Sequence, residues 1–134
     1  SGELGEAYAY IGTSGWIAFS SEERARERSV FTLAHPHPKR FIQIAPLLTA
    51  GGNLQWIRDL FSSNDYENLI SEALSSQPSS LLYLPYLNGE RCPVRDPLAR
   101  GAFIGLSSTT TKAQMTRAVL EGIVFNYRHA LHVL

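Results

Sequence analysis

From Thr111 to Leu134 the apolar residues repeat with the period of a helix and fall into two adjacent stripes. Met115, Ala118, Val119, Gly122 and Ile123 form the first, and Leu120, Val124, Tyr127, Leu131 and Leu134 run beside them. Only a narrow polar strip through Arg117, Glu121 and Arg128 separates the stripes on the far side. A helix of this kind cannot stand alone in water and needs cover on most of its circumference. Thr111 followed three residues later by Gln114 is a capping-box pattern, so the helix is predicted to start there. No stop signal follows: the pattern stays apolar to Leu134, and Ser1 is not a methionine, so both ends read as cut.

Upstream of this helix the period changes twice. Ala7 to Ile11 and Trp16 to Phe19 read as short strands joined by Gly12-Thr13-Ser14-Gly15, a hairpin pattern. Val30 to Leu33 and Phe41 to Ala45 are strand-like, and His35-Pro36-His37-Pro38 between them is a connecting turn. The mixed charges from Ser20 to Ser29 predict a solvated loop. From Pro46 the spacing of Ala50, Leu54, Ile57 and Phe61 predicts a helix, with the proline in its first turn. Gly51-Gly52 near its start is costly unless the backbone must approach something closely. Tyr66 to Leu74 predicts a second helix, and Ser75 to Ser80 a loop. Leu81 to Leu84 predicts a strand covered on both faces. Pro85 to Gly101 is a long polar loop of the kind that often carries function. Strands followed by helices in this order point to an α/β layered domain.

Composition excludes several classes. Twelve Lys+Arg balance twelve Asp+Glu in 134 residues, so no basic field exists to hold nucleic acid or an anionic membrane. The single cysteine, Cys92, excludes an internal disulfide framework and fits a reducing compartment, with the cytoplasm expected. No apolar run is long enough to span a bilayer. His35, His37, His129 and His132 have no carboxylate at useful spacing, so no metal site is expected. Gly12-Thr13-Ser14-Gly15 fails as a nucleophile elbow, because Trp16 stands where the second glycine is required. The chain also lacks a Gly-x-x-x-x-Gly-Lys-Ser/Thr loop. Small residues and two hydroxyls do, however, make the tetrapeptide a possible backbone cradle for an anion, with an ordinary hairpin turn as the alternative.

Combination narrows the reading. Tyr10-Ile-Gly-Thr-Ser-Gly-Trp16, Ala50-Gly-Gly-Asn-Leu-Gln-Trp56, Leu84-Pro-Tyr-Leu-Asn-Gly-Glu-Arg-Cys-Pro93 and Asp96-Pro-Leu-Ala-Arg-Gly101 occur in this order. They are followed by Gly101-x-Phe103-x-Gly105-Leu106 and, seven residues on, Gln114-Met115-x-x-Ala118-Val119-Leu120-Glu121. The chain resembles the FGGY family of carbohydrate kinases over essentially all its length, most of all the xylulokinases and gluconokinases. The resemblance implies part of an actin-like, ribonuclease-H-like ATPase domain, a mixed sheet packed with helices. All of 1–134 would belong to the second, ATP-side domain, with the N-terminal sugar-binding domain absent.

The same resemblance implies site roles. Gly12, Thr13 and Ser14 would contact the terminal phosphates of ATP, with Thr13 first among them, and Gly51 and Gln55 would approach the nucleotide. Trp16 would border the substrate, with core packing as an equal alternative. Glu90, Arg91 and Asp96 would either act at the site or hold their loop's shape by ion pairing, and the structural role is preferred. The family's catalytic aspartate lies before the Gly-Thr-Ser turn, so it is expected upstream of Ser1, and no residue present takes its role. The implied activity is transfer of the γ-phosphoryl group of ATP, with Mg²⁺, to a sugar hydroxyl. D-xylulose leads, ahead of gluconate or another pentulose. The 134 residues alone are expected to be inactive. A stand-alone interaction module that has lost the chemistry is the competing reading, an actin or heat-shock ATPase type of domain comes last, and a homodimer through the terminal helix is a further expectation.

Overall fold

The computed structural model describes residues 3–134. Strand β1 (Ala7–Ile11) turns at Gly12–Ser14 into β2 (Gly15–Ser21), in the register Ile11 opposite Gly15 and Tyr10 opposite Trp16. Strands β3 (Phe31–Ala34) and β4 (Phe41–Leu47) complete a four-stranded sheet in the order β1-β2-β4-β3. Its strand pairings are antiparallel, and an isolated parallel bridge joins Leu4 to Ser20 of β2. Helices α1 (Gly51–Leu60) and α2 (Tyr66–Ser75) follow, then the two-stranded pair β5 (Leu82–Leu84) and β6 (Ala102–Ile104), then α3 (Lys112–His132).

The pleat decides what the sheet buries, because successive side chains point to opposite faces. Gly15 and Ile17 on β2 lie beside Leu47 and Ala45 on β4, and this face packs on α1 and α3 through Ile57, Val119, Ile123 and Tyr127. The opposite face carries Tyr8, Tyr10, Trp16, Phe31 and Leu33, all of them exposed, beside the buried Ala18. Trp56, Tyr83 and Phe103 extend the core between α1 and the β5–β6 pair, with Tyr83 and Phe103 ring centroids 4.8 Å apart. The Tyr83 hydroxyl, buried there, donates to Asn53 Oδ1 at 2.9 Å, so the polar atom is satisfied inside the core.

The terminal helix starts as predicted: Thr111 Oγ1 accepts from Gln114 N–H at 3.2 Å, and Gln114 Oε1 accepts from Thr111 N–H at 3.0 Å. Its first stripe is inside, with Ala118, Val119, Gly122 and Ile123 buried. The second stripe divides. Tyr127 is buried, whereas Val124 and Leu131 are 63% and 53% exposed, because the layers of this chain cover only one side of α3.

Three further expectations are corrected. The helix does not begin at Pro46, which sits in β4 opposite Trp16; pairing with β2 carries the strand on to Leu47, which is buried against Gly15's edge of the core. β3 ends its pairing at Ile44, so the proline's missing donor falls where β4 has a partner on one side only. Leu81 to Leu84 is not covered on both faces: Leu81 and Tyr83 are buried, but Leu82 is 52% exposed, since among the described residues the outer face of the β5–β6 pair is left largely open. The 20–29 segment is only partly a solvated loop. β2 extends to Ser21, Ser29 is buried, and Gln43 Nε2 donates to the Glu23 carbonyl at 2.9 Å.

Candidate functional site: the hairpin turn and its groove

The β1–β2 turn lies against the start of α1, and their contact explains the glycine pair. Gly51 N–H donates to the Gly12 carbonyl at 2.8 Å, and Ala50 and Gly52 N–H donate to the Thr13 carbonyl at 2.9 and 3.0 Å. The turn therefore caps the helix, whose own N-cap residue, Ala50, supplies no side-chain acceptor. A Cβ on Gly51 would come within 2.7 Å of the Gly12 oxygen, and one on Gly52 within 3.0 Å of the Thr13 oxygen. What approaches Gly51-Gly52 so closely is thus the turn's own backbone, and Gly51 has no free N–H to give a nucleotide.

This capping orients the rest of the turn. In a trans peptide the carbonyl and the following N–H point in opposite directions. With the Gly12 and Thr13 carbonyls aimed at α1, the N–H groups of Thr13 and Ser14 face away from it, outwards. Among the described residues neither N–H has a hydrogen-bond partner, nor does either hydroxyl. Thr13 and Ser14 are both exposed, so two amides and two hydroxyls present an unsatisfied donor set to solvent.

Beside the turn a groove of 480 Å³ runs along α1, lined by Thr13, Thr49, Gly52, Gln55, Asp59 and Asn88 among others. Gly52, Gln55 and Asp59 share it because they recur at helical spacing. The structure thus brings Thr13 and Gln55 together, with Gly12, Ser14 and Gly51 at the turn that borders them. Trp16 is not among the lining residues. It stacks on Tyr10 at 5.8 Å on the open face of the sheet, 38% exposed, and so it neither packs in the core nor faces the groove.

No lysine or arginine lines this groove. Arg58, beside it in sequence, is held by Asp59, with Nη2 to Oδ1 at 2.6 Å, and its guanidinium lies over the Tyr66 ring; the hydrogen bond to Asp59 raises its pKa above the ordinary value. Among the described residues no three His, Cys, Asp or Glu side chains converge as a metal site. Hydroxyls, outward amides and a single carboxylate suit a phosphate chain that carries its own Mg²⁺, since that ion is commonly held through phosphates and water.

Glu90, 1% exposed, has the structural role, by hydrogen bonding and not by ion pairing. Its Oε1 accepts from Leu48 N–H and Arg91 N–H, and its Oε2 accepts from Asn126 Nδ2, each at 2.8 Å. Glu90 and Asp96 also form a backbone bridge, and Asp96 Oδ1 accepts from Leu98 N–H at 2.8 Å. Arg91 is exposed and makes no ion pair among the described residues. Sequence reasoning missed Thr49, Asn88 and Asp59. Asp59 was within reach, four residues after Gln55 on the same helical face, whereas Thr49 and Asn88 meet through a side-chain bond of 3.3 Å that no local pattern announces.

Over residues 7–134 the chain matches the FGGY family of carbohydrate kinases, C-terminal domain. The chain belongs to this family. It is 35% identical over 130 residues to a xylulose kinase of Staphylococcus xylosus, covering 92% of this chain and 27% of that relative. It is 36% identical over 140 residues to a gluconokinase of Bacillus subtilis, covering 91% of this chain and 26% of the relative. A ligand-bound xylulose kinase from Lactobacillus acidophilus superposes with a TM-score of 0.85 at 32% identity, over 95% of this chain and 27% of that structure. The fold is accordingly that of the actin-like ATPases, and the chain spans about a quarter of the length of these FGGY kinases. Among the described residues no helix is long and apolar enough to cross a membrane.

Proposed function

We propose that this chain is the ATP-side part of a sugar kinase, with the Gly12–Ser14 turn holding the terminal phosphates of ATP and the groove along α1 holding the rest of the nucleotide. The observation that carries this reading is the outward donor set of Thr13 and Ser14, forced by carbonyls committed to α1. Thr13 is common to the turn and the groove, which supports it as the principal phosphate contact. Gln55 supplies a side-chain amide further along, and Gly51 contributes by holding the Gly12 carbonyl and not as a donor. Mg²⁺, bound through the phosphates, would neutralise charge that no side chain in the groove neutralises.

The acceptor is a sugar hydroxyl, with D-xylulose first and gluconate or another pentulose next, on the strength of what the named relatives act on. The transferred proton needs a carboxylate beside the γ-phosphate, and the three aspartates present do not serve. Asp65 caps α2 through Asn68 N–H at 3.1 Å, and Asp96 is bound to Leu98 N–H. Asp59 is seven residues along α1 from Gly52, about 10 Å at the rise of a helix. We therefore expect the 134 residues to bind MgATP without phosphorylating sugar.

Calorimetric titration of the chain with MgATP tests the reading: binding that is lost in Thr13→Val supports it, and equal binding by wild type and variant overturns it. Sugar-dependent ADP formation with D-xylulose, above a Thr13→Val control, would overturn the expected inactivity. The open apolar face at Tyr10, Phe31 and Leu33 favours a second reading, association with another copy, which light scattering of wild type against Phe31→Ser separates from the first.

A further inference from the structure

Little within the turn fixes its shape: one bond, Gly12 N–H to the Ser14 carbonyl at 2.9 Å, closes it. Its position is set from beneath by α3. The Tyr127 hydroxyl, on a side chain 9% exposed, donates to the Tyr10 carbonyl at 2.5 Å, two residues before the turn and 117 positions away in sequence. The same hydroxyl occupies the space below Gly15, where a Cβ would stand 1.8 Å from it. Glycine at 15 and tyrosine at 127 are thus matched in shape as well as bonded through a neighbour.

The preceding residue reaches the turn's other flank. Asn126 Nδ2 donates to Glu90, and Glu90 accepts from Leu48 N–H, at the end of β4 where the chain enters α1. That helix in turn holds the Gly12 and Thr13 carbonyls. Consecutive residues of one rigid helix therefore brace both sides of a three-residue loop.

We propose that Tyr127 is a positioning residue, which holds the end of β1 so that the Gly12–Ser14 turn keeps its carbonyls on α1 and its free N–H groups facing a phosphate, with Asn126 and Glu90 as the brace on the α1 side. The proposal rests on the phosphate reading of the turn. Burial first, then the nearby Glu90 and Tyr10 groups, push the Tyr127 phenol up to about 12, so it stays a donor across any ordinary working pH. A phenylalanine would keep the buried ring and supply no donor, which separates this role from packing.

Amide hydrogen exchange of the 134-residue chain with Tyr127→Phe is the test, because the ring stays and only the hydroxyl goes. Thr116→Val serves as control: its hydroxyl is buried too, but bonds within α3 to Lys112. Exchange at Gly12, Gly51 and Gly52 should quicken roughly 5- to 30-fold in Tyr127→Phe, the factor for one lost buried hydrogen bond. Ala73 in α2 should not change, and Thr116→Val should leave the three glycines as in wild type. Equal acceleration at Ala73, or none at the glycines, overturns the proposal. MgATP titration of the same variants adds the second arm: Tyr127→Phe should bind more weakly than Thr116→Val by a similar factor. Unchanged affinity despite a loosened turn overturns the positioning role. If wild type binds no MgATP while the glycines still respond, the hydroxyl contact stands, and the positioning role falls together with the phosphate reading.

Discussion

Removing the Glu90 side chain should damage the protein far more than neutralising it. Glu90 accepts from two backbone N–H groups, Leu48 and Arg91, and from Asn126 Nδ2, all at 2.8 Å and at a site only 1% exposed. In Glu90→Ala these three donors lose their acceptor together. A buried donor left unpaired costs about 1–3 kcal/mol. Water entering the vacated volume would recover part of that, so a loss of about 3–5 kcal/mol is expected, a large share of the roughly 5–15 kcal/mol that holds a domain of this size. Glu90→Gln keeps one oxygen for the backbone N–H groups and turns an amide toward Asn126. Asn126 Oδ1 has no partner in the native packing, so rotation of the Asn126 amide lets that oxygen accept from the new donor. The cost should then stay near 1 kcal/mol. Urea unfolding of the three proteins, with slopes checked for a common two-state transition, measures both losses. A Glu90→Ala loss under about 1 kcal/mol, or a Glu90→Gln loss equal to it, would refute the reasoning that hydrogen bonding, and not charge, gives Glu90 its role.

Other expectations follow from the same geometry. Gly15→Ala should cost about 1–3 kcal/mol, the usual penalty of overpacking, because its Cβ meets Tyr127 Oη at 1.8 Å and Ala50 Cβ at 2.9 Å; a thermal melt unchanged from wild type would contradict this. Tyr127 ionises at about 12 in the folded chain against 10.0 for the free phenol, so its contribution to stability is full below pH 10 and is lost as pH rises toward 12. Alkaline titration of stability should therefore be shallower in Tyr127→Phe, and parallel curves would count against the burial. Trp16→Ala should leave nucleotide affinity within about twofold, because Trp16 does not line the groove along α1, and a larger loss by calorimetry would contradict this.

Much of the fold was legible because the signals are local. The Thr111–Gln114 capping box, the Gly-Thr-Ser-Gly turn and the 3.6-residue period of α1 and α3 each act within a few residues, and each element appears where its pattern stands. Errors came where a partner segment decides. Pro46 fits a helix start by local pattern, but pairing with β2 draws it into β4, and Leu82 sits in an apolar run whose outer face stays open when Leu82 pairs with Ile104 of β6. The site was half legible in the same way. Thr13 and Gln55 stand out in their motifs, but the purpose of Gly51-Gly52 was visible only with the Gly12 and Thr13 carbonyls set against them.

The sequence by itself determined the order and kind of the elements, β6 (Ala102–Ile104) excepted, and membership in the FGGY kinases, since caps, periods and spaced motifs are properties of the chain alone. Tertiary structure decided which side of each element is covered, that Trp16 lies on the open sheet face while Thr13 and Gln55 share a groove, and that Tyr127 reaches Tyr10 across 117 positions. The physical reason is that burial and hydrogen-bond direction depend on the pleat of one strand against another and on helices from distant segments. A helix cap can be read within four residues, but the direction of a free N–H depends on what holds the carbonyl behind it.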